Sequence, residues 1–155
     1  MIIRKAKLQD VERLSELLYE VHNLHAKKRP DIFKPGCQKY TADQLPSIIE
    51  NQNTPIFVAE EKKLVVGYIF GIIEEVKDHQ SLEDLKTMYI DDLCVDKEYR
   101  GKHIATSLYN HMKIVAKSLG CTRMTLNVWT LNEDAMPFYE KLGLKPLKIT
   151  MEDKF

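Results

Sequence analysis

Apolar residues recur at helical spacing in two long stretches of the chain. The first set begins just after Asp10 and comprises Val11, Leu14, Leu18 and Val21. This helix should end near Pro30, because the residue before a proline is pushed out of the helical region. The second set stops at Gly120 and comprises Ile104, Leu108, Met112, Val115 and Leu119. Both patterns predict amphipathic helices that turn one apolar face toward a core.

Two shorter helices are indicated by their terminal residues. Thr41 and Gln44 have the spacing of a capping box and predict a helix from Thr41 to Asn51, or one that begins at Pro46 instead. Asn132 suits the cap of a second short helix that runs to Lys141, with Gly143 just past its end.

The remaining apolar segments read as strands, and they alternate with helices in the C-terminal half. Leu64–Val76 is a nearly continuous apolar run, which is typical of a strand covered on both faces. The predicted strands are Ile2–Ala6, Pro55–Glu60, Leu64–Val76, Thr87–Val95, Arg123–Trp129 and Leu144–Met151. This order predicts one domain over residues 1–155, with a sheet flanked by helices.

Composition narrows the class of protein. Apolar residues make up 44% and charged residues 30%, and the 23 Lys and Arg balance the 23 Asp and Glu, so no net field favours nucleic acid or an anionic membrane. No apolar run is long enough for a membrane span, and the N-terminus lacks a signal-peptide core. The cysteines (Cys37, Cys94 and Cys121) are widely spaced, and no metal motif is present. We therefore expect a cytoplasmic protein with reduced thiols and no metal.

The most informative stretch runs from Ile90 to Ala105. A strand leads into an Arg-Gly-Lys turn, and an amphipathic helix starts at once. That order presents unpaired backbone N–H groups, a helix dipole and two cations to an anion, with Gly101 allowing close approach. Neither of the common phosphate loops, G-x-x-x-x-G-K-S/T and G-x-G-x-x-G, occurs in the chain.

This stretch resembles the acyl-CoA pyrophosphate loop of the GCN5-related N-acetyltransferase family, whose pattern is R/Q-x-x-G-x-G/A. Residues Arg100–Ala105 match it, with His103 where the family usually has Gly. In a helix-start conformation a non-Gly residue is sterically allowed, so we expect His103 to be tolerated. The segment Asn132–Gly143 resembles the second signature of the family, and it begins about thirty residues past the loop.

The resemblance implies an α/β (α+β) fold with a mixed, mostly antiparallel sheet and about four helices. Its two parallel strands, Thr87–Val95 and Arg123–Trp129, would splay apart. Acetyl-CoA would sit in the splay, with its pantetheine paired to the first strand like an added strand. The implied cofactor-binding residues are Leu93, Cys94, Val95, Arg100, Gly101, Lys102, His103, Ile104, Ala105, Thr106, Asn132, Ala135, Phe138, Tyr139 and Lys141.

The chemistry of amine acetylation calls for a proton acceptor and an acid. A lysine-like amine is almost entirely protonated at pH 7, and a departing thiolate needs a proton. Tyr139 suits the acid role, and Asp91 or Asp92 could relay the proton of the amine. Alternation along a strand allows only one of the pair to face the acceptor, unless a bulge intervenes. Resemblance to polyamine-type members of the family favours Asp91 as the residue that contacts the reacting amine. Asp92 would then have a structural or a substrate-binding role.

Charge bias gives a weaker indication of the acceptor. The segment 74–92 is rich in Asp and Glu and would attract a cationic amine, whereas the basic segment Ala26–Tyr40 could meet a carboxylate or phosphates. We expect an acetyl-CoA-dependent N-acetyltransferase that acts on a primary amine by direct transfer in a ternary complex. The alternatives are a protein N-terminal or lysine acetyltransferase and a non-catalytic acyl-CoA-binding module. A homodimer is compatible with the resemblance.

Overall fold

A computed structural model describes all residues from Met1 to Phe155. Its sheet has five strands in sequential order, and every neighbouring pair is antiparallel except the last, which is parallel. The strands are β1 (Ile2–Lys5), β2 (Ile56–Glu61), β3 (Leu64–Val76), β4 (Leu85–Val95) and β5 (Arg123–Leu126). The helices are α1 (Val11–Lys28), α2 (Leu45–Glu50), α3 (Ile104–Ser118) and α4 (Ala135–Lys141). The predicted mixed sheet with four helices is therefore confirmed.

Each face of the sheet has its own core. On one face, α1 and α2 bury Leu14, Leu18 and Leu45 against Tyr68 and Phe70 of β3. On the other face, the apolar stripe of α3 packs against β2, β3 and β4, through residues that include Leu108 and Met112. Burial of one such side chain stabilises the fold by roughly 1.5–3 kcal/mol, so the amphipathic patterns account for the helix positions. No helix is both long and apolar enough to cross a membrane.

Some predicted boundaries move. The helix predicted from Thr41, or alternatively from Pro46, begins at Leu45. Pro46 lies in its first turn, where a proline is tolerated. The strand predicted to reach Trp129 ends at Leu126, and the last helix starts at Ala135 instead of being capped by Asn132.

The strand predicted at Leu144–Met151 is wrong, since the segment forms no regular structure. Its alternating residues Leu147, Ile149 and Met151 remain exposed. An alternating pattern becomes a strand only where a neighbouring edge supplies hydrogen bonds, and this segment has no strand partner. Ion pairs from Arg29 to Glu152 and from Lys154 to Asp31 hold the tail that follows.

Parallel pairing between β4 and β5 covers only part of β4. It joins Thr87–Ile90 to Arg123–Leu126 and stops there. Beyond that point the residues Asp92–Val95 pair with β3 on one side, and Asp91–Val95 have no strand on the other. This open edge is the splay that the resemblance implied.

A β-bulge lies at the start of the open edge. Phe70 pairs with Asp92 and Gly71 pairs with Ile90, so Asp91 is the extra residue of β4. Because of the bulge, Asp91 and Asp92 both reach groups on the face covered by α1 and α2. This is the exception to strand alternation that a bulge allows.

Candidate active site

A short helical turn connects β4 to the glycine loop. Asp96 caps this turn, Lys97–Tyr99, by accepting a hydrogen bond of 2.9 Å from the amide of Glu98. The other carboxylate oxygen of Asp96 binds the guanidinium of Arg13, which also donates to the carbonyl of Val65 at 3.0 Å. Helix α1 thus anchors the loop in position.

The loop and the first turn of α3 form an anion-binding surface. The backbone amides of residues 101–106 donate to no acceptor in the protein, and the first helical hydrogen bond is that of Ser107 to His103, at 3.0 Å. Unpaired amides at the start of a helix attract anions, because the helix dipole adds to their partial positive charge. The exposed segment Arg100–His103 leaves this surface accessible.

His103 adopts a left-handed conformation, with φ 58° and ψ 18°. Gly101 is also left-handed, with φ 77°. The expectation that residue 103 would have an ordinary helix-start conformation is therefore wrong. A left-handed residue other than Gly costs roughly 1–2 kcal/mol, which explains why glycine suits this position.

Two cations flank the loop and differ in their contacts. Arg100 donates from Nε to the carbonyl oxygen of Val95 at 3.2 Å, which fixes its stem at the end of β4. Lys102 places Nζ 4.7 Å from the ring centroid of Tyr99, a cation–π contact. Neither cation has a carboxylate partner, so both charges can serve a bound anion.

Asp91 is held by two residues from the loop between α1 and α2. The hydroxyl of Tyr40 donates to Oδ2 at 2.6 Å, and Lys39 Nζ donates to Oδ1 at 2.8 Å and to the Asp91 carbonyl at 2.7 Å. Burial and the hydrogen bond to Asp91 raise the pKa of Tyr40. The carboxylate of Asp91 is thus already paired.

Asp92 is in a different environment. Burial of its carboxylate raises the pKa of Asp92 to about 6, and the negative charge of Asp91 adds to that rise, while Lys39 opposes it. Its one side-chain partner is the hydroxyl of Tyr68, which donates to Oδ2 over a long 3.4 Å. A carboxylate with this pKa is ionised at neutral pH yet remains a useful proton acceptor.

Tyr139 lies on α4, partly buried, with its ring 6.5 Å from that of Tyr109 and 5.0 Å from that of Phe138. Burial raises its pKa, and the charge of Asp92 is the next contribution. Its hydroxyl makes no hydrogen bond to the protein, so its proton is available to a ligand.

Aromatic and polar contacts link the loop after α1 to the segment after β5. Phe33 packs edge-on against Trp129, with ring centroids 5.0 Å apart, and contacts His25 at 5.2 Å. Lys28 Nζ donates to the carbonyl of Leu131 at 2.7 Å. These contacts join the loop after α1 to the segment after β5, so a wall spans the gap between them.

Comparison with known proteins decides the family. The model of the acetyltransferase (GNAT) family matches residues 18–144, which is most of the chain. The chain belongs to the GNAT family. A crystal structure of a mutant protein from Bacillus halodurans superposes with a TM-score of 0.95 at 29% identity, covering 100% of this chain and 99% of that one.

Named relatives match shorter segments. A thialysine N-epsilon-acetyltransferase of Bos taurus is 34% identical over 62 residues, which are 40% of this chain and 36% of the bovine protein. An N-alpha-acetyltransferase of Saccharolobus solfataricus is 35% identical over 98 residues, which are 60% of this chain and 58% of that protein. The chain therefore spans less than two thirds of the length of either curated relative.

The two GNAT signatures lie on either side of the splay. The predicted strand residues Leu93, Cys94 and Val95 form the open edge of β4, and Ile104, Ala105 and Thr106 form the first turn of α3. In the second signature, Ala135 opens α4, which also carries Phe138 and Lys141. Asn132 is exposed in the turn before α4, where its carbonyl accepts from the amide of Ala135 at 3.2 Å. Cys94 is buried and burial raises its pKa to about 12, which suits packing and not nucleophilic attack.

Sequence reasoning missed three residues that contact Asp91 and Asp92. Tyr68 was grouped with the apolar run of β3, although a hydroxyl within a buried strand signals a polar partner. Lys39 was noted only as part of a basic segment that could meet a carboxylate, and the carboxylate it meets is that of Asp91. No local pattern singles out Tyr40, because its partner Asp91 lies 51 residues away in the chain.

Proposed function

We propose that this GNAT protein is an acetyl-CoA-dependent N-acetyltransferase that transfers the acetyl group directly to a primary amine in a ternary complex. The observation that carries the proposal is the character of Asp92 and Tyr139. Asp92 is a carboxylate of raised pKa on the open edge of β4, and Tyr139 is a phenol without a protein partner on which Asp92 is the strongest charge. Acetyl transfer to an amine needs that combination of a base and an acid.

The residues around the splay fit acetyl-CoA. The free amides of residues 101–106, together with Arg100 and Lys102, match a pyrophosphate in charge and hydrogen-bonding capacity. The unpaired edge at Asp91–Val95 offers backbone groups to the amides of the pantetheine arm, as one strand does to another. When bound, acetyl-CoA supplies the activated acetyl thioester.

Asp92 is the better candidate for the proton acceptor. An amine with a pKa near 10.4 requires roughly 4–5 kcal/mol to be deprotonated by solvent at pH 7. The carboxylate of Asp92 has no cation bound to it and meets only the backbone of Leu93 and, at long range, the hydroxyl of Tyr68, whereas that of Asp91 is already bound by Lys39 and Tyr40. We therefore assign the base to Asp92 and the orientation of the acceptor to Asp91, the reverse of the preference drawn from polyamine-type members.

Tyr139 is the candidate acid. Burial raises the pKa of Tyr139 and keeps its phenol protonated, so it holds the proton that the departing thiolate takes up. The edge-on contacts with Tyr109 and Phe138 hold the Tyr139 ring in place while its hydroxyl stays free.

A small cationic amine is the acceptor class that the site favours. Two carboxylates meet at the bulge, and they attract an ammonium group. The wall formed by Phe33, Trp129, Lys28 and Leu131 restricts the length of an acceptor that enters from the α1 side. The likeness to thialysine N-epsilon-acetyltransferases supports this class.

Similarity to N-alpha-acetyltransferases favours a protein N-terminus as the second candidate acceptor. Such an acceptor would have to pass the contact between Phe33 and Trp129, so it requires that wall to open.

The test is thiol release from acetyl-CoA against a panel of thialysine, polyamines, amino acids, aminoglycosides and peptides with free N-termini. Mass analysis of the product identifies the amine that is acetylated, and heat-denatured protein corrects for spontaneous transfer. Acetylation of a small diamine or amino acid supports the proposal, and acetylation of peptides alone supports the second candidate. Acetyl-CoA binding by calorimetry, with no transfer to any amine, would contradict both.

A further inference from the structure

Lys39 places a primary amine of the protein itself in the acceptor region. Its Nζ lies 2.8 Å from Oδ1 and 2.7 Å from the carbonyl oxygen of Asp91, and 5.8 Å from the ring centroid of Tyr40. Asp91 is the residue of the bulge, and Asp92 follows it directly. An ammonium group is thus already bound where a cationic acceptor is expected to bind.

The charges of the site connect this amine to the catalytic pair. Among the neighbouring charges, Lys39 has the greatest effect on the pKa of Asp92, which it lowers. Asp92 in turn is the charge with the greatest effect on the pKa of Tyr139, which it raises. No other lysine pairs with Asp91. The amine of Lys39 therefore lies against Asp91, the residue next to the proposed base, and that base is the strongest charge acting on the proposed acid.

We propose that Lys39 is a site of self-acetylation, an inference that rests on the proposed transfer from acetyl-CoA. Lys39 belongs to the loop between α1 and α2, and its side chain is 39% exposed. A lysine stem has four flexible carbons, so Nζ can move from Asp91 to the open edge of β4 without a change in the sheet. The same stem would present the amine to the thioester when no external acceptor is bound.

The transfer balances without any other reactant. Asp92 takes one proton from the Lys39 ammonium, and the neutral nitrogen attacks the acetyl carbonyl carbon. The N–C bond forms and the C–S bond breaks, with its electron pair leaving on sulfur. Tyr139 protonates that sulfur and regains a proton from solvent, Asp92 releases its proton to solvent, and the second nitrogen proton passes to water. The products are acetyl-Lys39 and free CoA.

The test measures acetylation of the full chain by acetyl-CoA with no acceptor present, using peptide mass spectrometry over time. Lys34 lies on the same loop and is exposed, so Lys34→Arg is the matched control for Lys39→Arg. Asp92→Asn separates enzymatic from spontaneous acetylation. We expect Lys39 to be modified at least about tenfold faster than Lys34, with a rate constant that does not depend on protein concentration. We expect Asp92→Asn to slow the reaction about a hundredfold or more, the usual contribution of a general base.

Three results would overturn the inference. These are equal modification of Lys39 and Lys34, an unchanged rate in Asp92→Asn, and a rate that rises with protein concentration, which would indicate transfer between molecules. The same preparations are assayed on the amine panel, so that the two proposals can be told apart. Acetylation of an added amine without modification of Lys39 removes only the inference, whereas the absence of both reactions removes the proposed function as well.

Discussion

Asp91 and Asp92 are consecutive residues of one strand, yet both carboxylates meet partners on the same face of the sheet. The bulge at Asp91 causes this arrangement, because it inserts a residue between the pairs Gly71–Ile90 and Phe70–Asp92. The two carboxylates then differ in their surroundings, since Asp91 is bound by the cation Lys39 and by Tyr40, whereas Asp92 has no cation bound and makes a long contact with Tyr68. Two neighbouring carboxylates can thereby perform different tasks, one in orientation and one in proton transfer.

The first prediction concerns the pH dependence of activity. Asp92 must be ionised to accept a proton, so kcat/KM should rise as the pH increases through about 6, the raised pKa of Asp92. In Asp92→Asn the rate should fall about a hundredfold or more and lose this rising limb. Asp91→Asn serves as the matched variant, and we expect it to keep the limb while KM for the amine rises. A limb near pH 6 that persists in Asp92→Asn would assign the base elsewhere.

The second prediction concerns stability. Because the pKa of Asp92 is raised from 3.8 to about 6 on folding, the folded state binds this proton more tightly than the unfolded state. The free energy of unfolding should therefore decrease as the pH increases from about 4 to about 6, by up to roughly 3 kcal/mol. Asp92→Asn removes this loss and should be more stable than the wild type at pH 7.5, but not at pH 4. Urea unfolding of both proteins at the two pH values measures the difference, and equal stabilities at pH 7.5 would contradict it.

The third prediction concerns Lys39 as a competitor of the acceptor. Lys39→Gln removes the ammonium that pairs with Asp91, so a cationic amine should bind more easily. A partly exposed ion pair contributes up to roughly 1 kcal/mol, which corresponds to a fall of about fivefold in KM at an unchanged kcat. Lys39→Arg keeps the charge and should leave KM close to its original value. A higher KM in Lys39→Gln would mean that Lys39 assists acceptor binding.

The fourth prediction concerns the loop. His103 has a left-handed backbone without the freedom of glycine, so His103→Gly should relieve strain of roughly 1–2 kcal/mol. The greater flexibility of glycine in the unfolded chain offsets part of this gain, which leaves a net increase of about 0.5–1 kcal/mol. Thermal unfolding measures the change, with His111→Gly within α3 as a control that should destabilise. A less stable His103→Gly protein would show that the imidazole makes a stabilising contact.

Much of the fold and of the loop could be predicted because the signals are local. The apolar stripe of α3 and the turn Arg100–Lys102 lie within consecutive residues, and their order determines the anion-binding geometry. The second signature placed Tyr139 on a helix for the same reason, although the helix starts at Ala135 and not near Asn132.

The missed features depend on contacts between distant parts of the chain. The bulge at Asp91 arises from the pairing of β3 with β4, and no residue type in β4 predicts it. Lys39 lies 52 residues from Asp91. The segment Leu144–Met151 has strand-like alternation, but no neighbouring edge is available to it. Patterning describes which face a residue prefers, and tertiary pairing decides whether that preference is realised.

The most direct test of the account is the rate of thiol release from acetyl-CoA with the best acceptor of the panel, compared among wild type, Tyr139→Phe and Tyr109→Phe. Both changes remove one hydroxyl from the same pair of packed rings. The account predicts that Tyr139→Phe lowers kcat about a hundredfold or more, as expected for loss of a general acid, while Tyr109→Phe stays within about threefold of wild type. An unaltered kcat in Tyr139→Phe, or an equal loss in both variants, would contradict the role of Tyr139 as the acid in acetyl transfer.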